Sequence, residues 1–434
     1  MCHVKSVAGS FLSFLLVFVL FVPFSLGQEE DRAEVLKLPK PLLDDVETVV
    51  RDDLEGVNAG VVSADGKFLY TSSWRHNSIN AFRRDQQTGE LSHVQSLTSK
   101  RDLAGSTSIR LSPDGKYAVA PAFQTRTIVL LHVDQESGKL RIADVAKEGE
   151  NGVIGLTFAI AAEFSPDSKF VYASDPTAPG LRPGDTGAMT VFRVTKSGKL
   201  RMVESNRGEG GCFAGVRWAT VHPKLNLVYS TCNAAHSLVV SKRDPDTGKL
   251  SVSQILRDET NGIAGLQGAM TSALSPDGKF LYVSSGRFSG DTAIGVYEIR
   301  KEGLRFVHEL HEQRMELKNF LGGNGIVVSP DGKCVFAAGT RSQSFVCLQR
   351  DPESGRVTYL ETVNDDGKQR EGVDDLFGVG VSNTAGAAGI AISPDSKFVY
   401  VMVEDAGKIR VFVRNDLKEP RASEVTATDE RATD

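Results

Sequence analysis

The sequence predicts an all-β protein, a seven-bladed β-propeller made of four-stranded antiparallel blades. The main observation is a turn motif of the form Ser-Pro-Asp-Gly-Lys, followed by a short aromatic run, that recurs about every 50 residues along the 434-residue chain. A second turn, typically Thr/Ser-Gly-Lys-Leu, closes most of the repeats. A repeat of this length accommodates four short strands and their turns. The seven copies of the first motif begin at Ser63, Ser112, Ser165, His222 (degenerate), Ser275, Ser329 and Ser393.

Each repeat is predicted to contain strands A to D in order. Strand A consists of small and β-branched residues, such as residues 60–62, and the motif then places Ser, Pro and Gly where a type I turn favours them. Strand B begins with an aromatic residue, as in residues 68–70, and strand C alternates, as in residues 79–82. Gly in the second turn suits the left-handed position of a short hairpin leading to strand D.

The seventh repeat lacks a strand D, because the chain after residue 413 is polar and charged. Residues 43–56 align with strand D of the first repeat and its connection, so we predict that they complete blade 7 and close the ring. Closure would leave no sheet edge open. The sequence thus predicts one propeller domain over residues 38–414 and a polar C-terminal tail over residues 415–434.

The first 27 residues differ from the rest of the chain. Lys5 precedes an apolar run over residues 11–22, and Ser25-Leu26-Gly27 has the small-x-small form of a cleavage site. This pattern predicts an export signal peptide, a mature chain that starts at Gln28, a secreted or periplasmic location and no membrane attachment after cleavage. The alternative is an uncleaved membrane anchor, although the apolar run is short for a bilayer span.

Composition excludes some classes of function. A formal net charge of −5 and the lack of a Lys/Arg block give no electrostatic footprint for nucleic acid. No cysteine spacing resembles a zinc site, and no cofactor motif occurs, so we predict neither a metal nor a cofactor. The acidic segment over residues 364–386 lacks the alternating Asp spacing of a preorganised calcium loop. We expect a monomer.

Four cysteines remain after the signal: Cys212, Cys232, Cys334 and Cys347. Cys334 and Cys347 are predicted to lie nearly opposite each other on one hairpin, and Cys212 and Cys232 near one rim of blade 4. An exported protein can form disulfides, but buried free thiols fit each pair equally well.

Functional residues are expected on the rim formed by the B–C and D–A connections, where variable loops surround the central channel. Arg217 enters strand A of blade 4 from this rim, and a buried guanidinium needs an anionic partner or ligand. Each candidate could instead be an ordinary hydrogen-bonded surface residue. The predicted ligand-binding residues are Trp74, His76, Arg217, Trp218, Asn233, His236 and Arg287, with the blade 3 loop over residues 175–185 beside them.

The repeats resemble the seven-bladed propellers of the lactonase type, which include 6-phosphogluconolactonase and the carboxymuconate lactonizing enzyme. Residues 280–285, 82–85 and 243–250 are typical of that group, and the resemblance covers about residues 40–414. It implies the propeller fold and, for catalytic members, lactone chemistry in the channel.

Blade 4 departs from the pattern that the resemblance implies for catalytic members. Arg217 matches, but Trp218 stands where a His is implied, and Cys232 and Asn233 stand where Asn and Glu are implied. Ile160 and Asn324 likewise replace an implied His and Arg. Neutral Trp, Ile and Asn cannot move a proton at the lactone.

Two functions therefore remain open, besides a purely structural role in the cell envelope. The first is an exported propeller that binds a small anionic molecule or a protein partner on the variable rim, with the catalytic residues of the family not retained. The second is a lactone hydrolase with a rearranged site that uses His76, His236 or rim carboxylates.

Overall fold

A computed structural model describes residues 41–179, 186–287, 292–314, 316–364, 387–404 and 406–417. The described strands form seven four-stranded antiparallel sheets arranged as the blades of a propeller. The first half of the strands comprises β1 (Leu43–Val50), β2 (Val57–Val62), β3 (Phe68–Ser73), β4 (Ser78–Arg84), β5 (Leu91–Thr98), β6 (Arg110–Leu111), β7 (Tyr117–Ala122), β8 (Thr127–Val133), β9 (Leu140–Lys147), β10 (Ala161–Phe164), β11 (Phe170–Pro179), β12 (Thr186–Val194), β13 (Leu200–Asn206) and β14 (Val216–Val221).

The second half comprises β15 (Leu227–Cys232), β16 (Ser237–Arg243), β17 (Leu250–Arg257), β18 (Ala269–Leu274), β19 (Phe280–Ser285), β20 (Ala293–Arg300), β21 (Gly303–His311), β22 (Gly323–Val328), β23 (Cys334–Gly339), β24 (Ser344–Arg350), β25 (Val357–Asn364), β26 (Ala387–Ile392), β27 (Phe398–Val403) and β28 (Lys408–Arg414). Short 3-10 turns occupy Asp52–Leu54, Glu209–Gly211 and Asn415–Leu417. Blades 1 to 6 each use four consecutive strands, starting at β2.

Blade 7 combines strands from both ends of the described chain. Its order is β1-β28-β27-β26, and β1 pairs antiparallel with β28 from Leu43 opposite Arg414 to Val50 opposite Lys408. Within the predicted segment 43–56, β1 is the strand, and the 3-10 segment Asp52–Leu54 belongs to the connection that leads to blade 1.

The hydrophobic core lies between blades rather than within one blade. Seven buried clusters each join residues of two neighbouring blades; one contains Phe68 and Tyr70 of blade 1 with Ala118 and Val129 of blade 2. Another joins blade 7 to blade 1 through Phe398 and its neighbours. A four-stranded blade has two apolar faces, so each needs a neighbour on either side, and the ring supplies it.

The recurring motif has a clear structural role at the rim formed by the A–B and C–D turns. In blade 1 the Ser63 hydroxyl donates to Asp65 (2.7 Å) and accepts from the Phe68 backbone N–H (3.0 Å). Gly66 occupies the left-handed region with a φ of 72°. Five of the other six copies repeat the serine-to-aspartate bond, and the degenerate copy does not.

In the degenerate copy, a histidine replaces the serine and accepts the hydrogen bonds of the turn. The His222 imidazole Nδ1 accepts from the backbone N–H groups of Lys224 and Leu225 (3.1 and 2.8 Å). Its Nε2 lies 3.1 Å from the Gly278 carbonyl of the next blade. His222 therefore stabilises the turn and the blade 4 to blade 5 contact, which is a structural role.

All four described cysteines are buried free thiols. Cys334 is paired with Gln349, and Cys347 with Phe336, so the two thiols are two residues out of register and not nearly opposite as predicted. Burial raises the pKa of Cys334 to about 12, which makes this thiol a poor nucleophile at neutral pH.

Candidate functional site

The candidate site lies where the channel opens on the rim of the B–C and D–A connections. Strand A begins at this rim and strand B ends there, so residues at those two positions from different blades meet around the axis. The residues that meet are here called the mouth cluster. They are Asn58, Trp74, Phe123, Phe158, Arg217, Arg287, Asn324 and Glu404.

Arg217 owes its position to a β-bulge. In blade 4 Val216 pairs with Cys232 but Trp218 pairs with Thr231, so Arg217 is the extra residue in strand A. A bulge turns a side chain away from the regular alternation of the strand. Asn58 occupies the same bulge position in blade 1, between Val57 and Ala59.

Arg217 and Arg287, here called the basic pair, bring two positive charges to one side of the mouth. Both side chains are half-buried. Burial, reinforced by the charge of Arg287, lowers the pKa of Arg217 to about 10. Burial also lowers the pKa of Arg287, which the nearby Glu404 carboxylate opposes. An anion between the two guanidinium groups would relieve their repulsion, so the site is electrostatically suited to one.

Asn324 and Glu404 position Arg287. One guanidinium nitrogen of Arg287 donates to the Asn324 side-chain oxygen (3.2 Å). Glu404 is only 1 % exposed, and its two carboxylate oxygens accept from the Trp74 indole N–H (2.5 Å) and the Asn58 amide (3.2 Å). Asn324 therefore acts through the arginine, and Glu404 links blade 7 to blade 1 beside it.

Three half-buried aromatic rings from blades 1 to 3, here called the aromatic wall, line the other side of the mouth. The Phe123 and Phe158 ring centroids lie 4.6 Å apart, and the Phe123 and Trp74 centroids 6.3 Å apart. The Arg75 guanidinium lies 5.0 Å from the Trp74 ring centroid. Rings at these distances form one continuous apolar surface.

Other residues connect both ends of the aromatic wall to the basic pair. At one end Trp74 is bonded to Glu404, which lies beside Arg287. At the other end the Phe158 backbone N–H donates to Asp175 (2.7 Å), and the neighbouring Ser174 hydroxyl donates to the Arg217 carbonyl (3.0 Å). The aromatic wall is therefore linked to the basic pair indirectly, through Glu404 at one end and through Ser174 and Asp175 at the other.

Trp218, Arg110 and Glu163 lie deeper in the channel. Arg110 of blade 2 lies over the Trp218 ring of blade 4, with 4.4 Å between guanidinium carbon and ring centroid. Since blade 3 separates these blades, the contact spans the channel. The Arg110 Nε is 3.3 Å from a Glu163 carboxylate oxygen, and both side chains are 24 % exposed. These three side chains form the floor beneath the mouth cluster.

The other predicted site residues make local contacts on the same rim. The Asn233 backbone N–H donates to the Gly215 carbonyl (3.0 Å). Exposed His236 accepts at Nδ1 from the Gly268 N–H (2.8 Å), and His76 lies 3.3 Å from the Ser78 hydroxyl. Of the seven predicted residues, the described contacts thus bring Trp74, Arg217 and Arg287 into the mouth cluster and Trp218 into the floor.

Asp175, at the start of the predicted blade 3 loop, has a structural role. Asp175 is fully buried and accepts from the Thr157 hydroxyl (2.8 Å) and the Thr177 backbone N–H (2.8 Å) as well as from Phe158. Residues 180–185 of that loop and residues 365–386 of the acidic segment lie outside the described residues.

Sequence reasoning missed Phe123, Phe158, Glu404 and the Arg110–Glu163 pair. A positional signal existed for two of them, because Phe123 and Glu404 both lie eleven residues after the first residue of their motif, as does Trp74. Comparing that position across all repeats would have found them. Arg110 and Glu163 also had a positional signal, because each lies two residues before the first residue of its motif, where the other five repeats have uncharged residues.

A cleft of about 110 Å³ lies at the rim of blade 5. It is lined by Asp258, Gly265, Ser285, Glu309 and His311, with the Arg314 guanidinium 2.8 Å from a Glu309 oxygen. Among the described residues, no three His, Cys, Asp or Glu side chains come together as metal ligands. The described part of the chain also contains no helix of the length and apolarity needed to cross a membrane.

Comparison with known proteins finds relatives that match this chain over part of their length. The chain is 27% identical over 174 residues to an uncharacterized protein of Lactococcus lactis, which covers 39% of this chain and 47% of that protein. It is 23% identical over 149 residues to the 6-phosphogluconolactonase of Bacillus subtilis, covering 34% and 40% respectively. The chain thus spans less than half the length of these curated relatives.

Solved structures share the fold at low identity. The periplasmic gluconolactonase of Pseudomonas aeruginosa superposes with a TM-score of 0.56 at 20% identity, covering 71% of this chain and 85% of that one. The hydrazine synthase of Kuenenia stuttgartiensis superposes with a TM-score of 0.59 at 14% identity, covering 85% and 98%. The sequence model described as "Lactonase, 7-bladed beta-propeller" matches residues 51–154 and 164–370. The chain therefore belongs to the lactonase family of seven-bladed β-propellers.

Proposed function

We propose that this protein hydrolyses a lactone that carries a carboxylate or phosphate group, and that it binds this substrate in the mouth cluster. The observation that carries the proposal is the convergence of Arg217 and Arg287, from different blades, at the channel mouth of a lactonase-family propeller. Relatives named as a 6-phosphogluconolactonase and a gluconolactonase support a lactone as the substrate class.

The reaction requires water and the lactone. The water oxygen adds to the carbonyl carbon and gives up a proton, the ring C–O bond breaks, and the ring oxygen takes up that proton to become the hydroxyl of a hydroxy acid. Negative charge develops on the carbonyl oxygen as water adds. A preorganised guanidinium at that oxygen stabilises the transition state more than the ground state.

The basic pair can divide two tasks between its members. One guanidinium would stabilise the developing oxyanion, while the other would hold the anionic group of the substrate through charge-assisted hydrogen bonds. Glu404 is a positioning residue in this scheme, because both of its oxygens already accept hydrogen bonds within the mouth cluster. Catalysis would then rest on electrostatics and orientation rather than on a dedicated histidine.

Binding of an anion without turnover is the second candidate function. Trp218 and Asn233 are neutral where the resemblance implies His and Glu, and Asn324 is engaged in holding Arg287. These features favour a site that retains a ligand over one that transfers protons.

The test is a panel of γ- and δ-lactones, with and without a carboxylate or phosphate group, assayed with the purified full chain. We expect kcat/KM to be highest for an anionic lactone, and Arg217→Met or Arg287→Met to lower it about 100- to 1,000-fold. Arg101→Met is the matched control, because Arg101 is 92 % exposed on the same rim, and it should leave kcat/KM unchanged.

No hydrolysis above the buffer rate across the whole panel would exclude the lactonase function. If anionic lactones then still bound with an affinity that Arg217→Met abolishes, the second candidate would stand in its place.

A further inference from the structure

We propose that the substrate of this site is two-sided: an anionic group faces the basic pair, and a planar apolar group, such as an aromatic ring fused to the lactone, packs on the aromatic wall. This inference rests on the proposed function for the lactone itself. It adds a class of substrate, the aryl-substituted anionic lactone, in place of a fully hydroxylated sugar lactone.

The first support is the division of the mouth into two unlike sides. Blades 1 to 3 supply Trp74, Phe123 and Phe158, while blades 4 and 5 supply Arg217 and Arg287. A ligand that spans the mouth therefore meets apolar rings on one side and positive charge on the other. Hydroxyl groups packed against the faces of these rings would lack hydrogen-bond partners, and burying them there is unfavourable.

The second support is the partial exposure of the aromatic wall. All three rings are half-buried, although the interblade core buries most other large aromatic side chains completely. Exposed aromatic surface beside convergent charge is the usual composition of a small-molecule site. Because Phe123 and Phe158 are 4.6 Å apart and tilted by 39°, an aromatic ring of the ligand can extend their packing.

The third support is the rigidity of the frame. The Trp74 indole is fixed by Glu404, and the Phe158 backbone is fixed by the buried carboxylate of Asp175. A wall whose members are already ordered loses little conformational entropy when a ligand packs on it.

The experiment compares two carboxylates that differ only by the aromatic ring: coumarin-3-carboxylate and 2-pyrone-3-carboxylate. Their affinities for the full chain are measured by isothermal titration calorimetry. We expect coumarin-3-carboxylate to bind at least tenfold more tightly. Phe158→Ala should reduce this ratio to below threefold, while changing the affinity for the pyrone less than twofold.

Phe306→Ala is the matched control. Phe306 packs against Tyr297 in the outer part of blade 5, so its loss should leave the ratio unchanged. If thermal melting shows that Phe158→Ala does not fold, Phe123→Leu is used in its place. This variant removes a ring from the aromatic wall while retaining apolar volume, and it should lower the affinity ratio in the same way.

The outcomes separate this inference from the proposed function, because the ratio of the two affinities depends on the aromatic wall whether or not the enzyme also hydrolyses either lactone. Equal affinities for the two probes, or a ratio that both wall variants leave in place, would overturn the inference while leaving lactone hydrolysis intact. A wall-dependent ratio combined with no hydrolysis of any lactone would support the inference and refute the proposed reaction. Failure of both probes to bind would overturn the two-sided site itself.

Discussion

At the scale of single residues, burial disfavours the charged forms of an ion pair in the channel floor. Burial raises the pKa of Glu163 and lowers the pKa of Arg110, even though the two groups lie 3.3 Å apart. Both directions mean that lost hydration outweighs the mutual attraction. Such a pair is weak evidence for stability, but removing one member leaves the other charge uncompensated.

This balance gives a pH-dependent prediction. Arg110→Met should lower the free energy of unfolding by about 2 kcal/mol at pH 7, because the Glu163 carboxylate is left alone in the channel. A raised pKa in the folded state means that the ionised form is penalised above that pKa and that the penalty disappears as pH falls through it. The loss in the free energy of unfolding of Arg110→Met, measured by urea denaturation, should therefore be smaller at pH 5 than at pH 7.

The double variant Arg110→Met/Glu163→Gln provides the control. It should be at least as stable as the wild type, since neither charge remains to be desolvated. A loss that is the same at both pH values, or a double variant less stable than Arg110→Met, would refute this description of the floor.

The residue scale also shows what sequence alone could predict. Arg217 was identifiable, because a basic residue at the start of a small-residue strand is conspicuous. Its pairing with Arg287 was not, since the β-bulge that turns the side chain toward the mouth depends on the register between β14 and β15. Glu404 and Phe123 could be identified only by comparing the position eleven residues after the motif start across all repeats, because the blades bring these equivalent positions to one axis.

At the scale of elements, buried arginines join neighbouring blades. The last residue of strand C is Arg84, Arg243, Arg350 or Arg414 in blades 1, 4, 6 and 7, and each is buried. Arg350 donates to the Tyr282 hydroxyl of blade 5 (2.7 Å), to the Gly332 carbonyl (3.0 Å) and to Asp277 (3.2 Å). Arg84 makes the equivalent bond to Tyr400 of blade 7.

The blades that lack this arginine show its importance by contrast. Val133 occupies the position of this arginine in blade 2. The Tyr70 hydroxyl of blade 1, which faces that position, is buried without a hydrogen-bond partner among the described residues. Ile299 occupies it in blade 5, where His222 bonds to the Gly278 carbonyl that corresponds to the arginine's acceptor Gly332. His222 of the degenerate fourth motif therefore bonds to the carbonyl that the arginine missing from blade 5 would otherwise bond to.

Paired tyrosine variants test this interblade bond. Tyr282→Phe should lower the free energy of unfolding by about 2 kcal/mol, because it leaves the buried Arg350 Nε and the Gly355 carbonyl without the hydroxyl. Tyr70→Phe should be neutral or slightly stabilising, since its hydroxyl makes no described bond. Equal losses in urea denaturation of the two variants would contradict the role assigned to the arginine.

At the scale of the whole molecule, the sequence repeat predicted the propeller because each motif carries its own turn chemistry and strand pattern. The pairing of β1 with β28 could be predicted from the missing seventh strand D, because an unfilled sheet edge is unfavourable. The composition of the channel was harder to predict, since the equivalent positions that line it carry different residue types in different blades.

The paired N-terminal strand gives a prediction at this scale. A chain that starts at residue 53 should melt about 10 °C or more below a chain that starts at residue 28 and aggregate on heating, because β28 loses its partner and buried Leu42 and Leu43 leave the blade 6 to blade 7 core. Deleting residues 28–40 alone keeps β1 and serves as the control. Equal melting temperatures for the two deletions would contradict a stabilising role for β1.

The central claim is that the mouth cluster is the site where an anionic lactone binds. The most direct measurement is a crystal structure of the full chain soaked with coumarin-3-carboxylate or the hydroxy acid product of an anionic lactone. We expect a carboxylate within hydrogen-bond distance of both Arg217 and Arg287, with the ring against Phe123 and Phe158. Density for the ligand in the blade 5 cleft near Asp258 and Glu309, with none at the mouth, would contradict it.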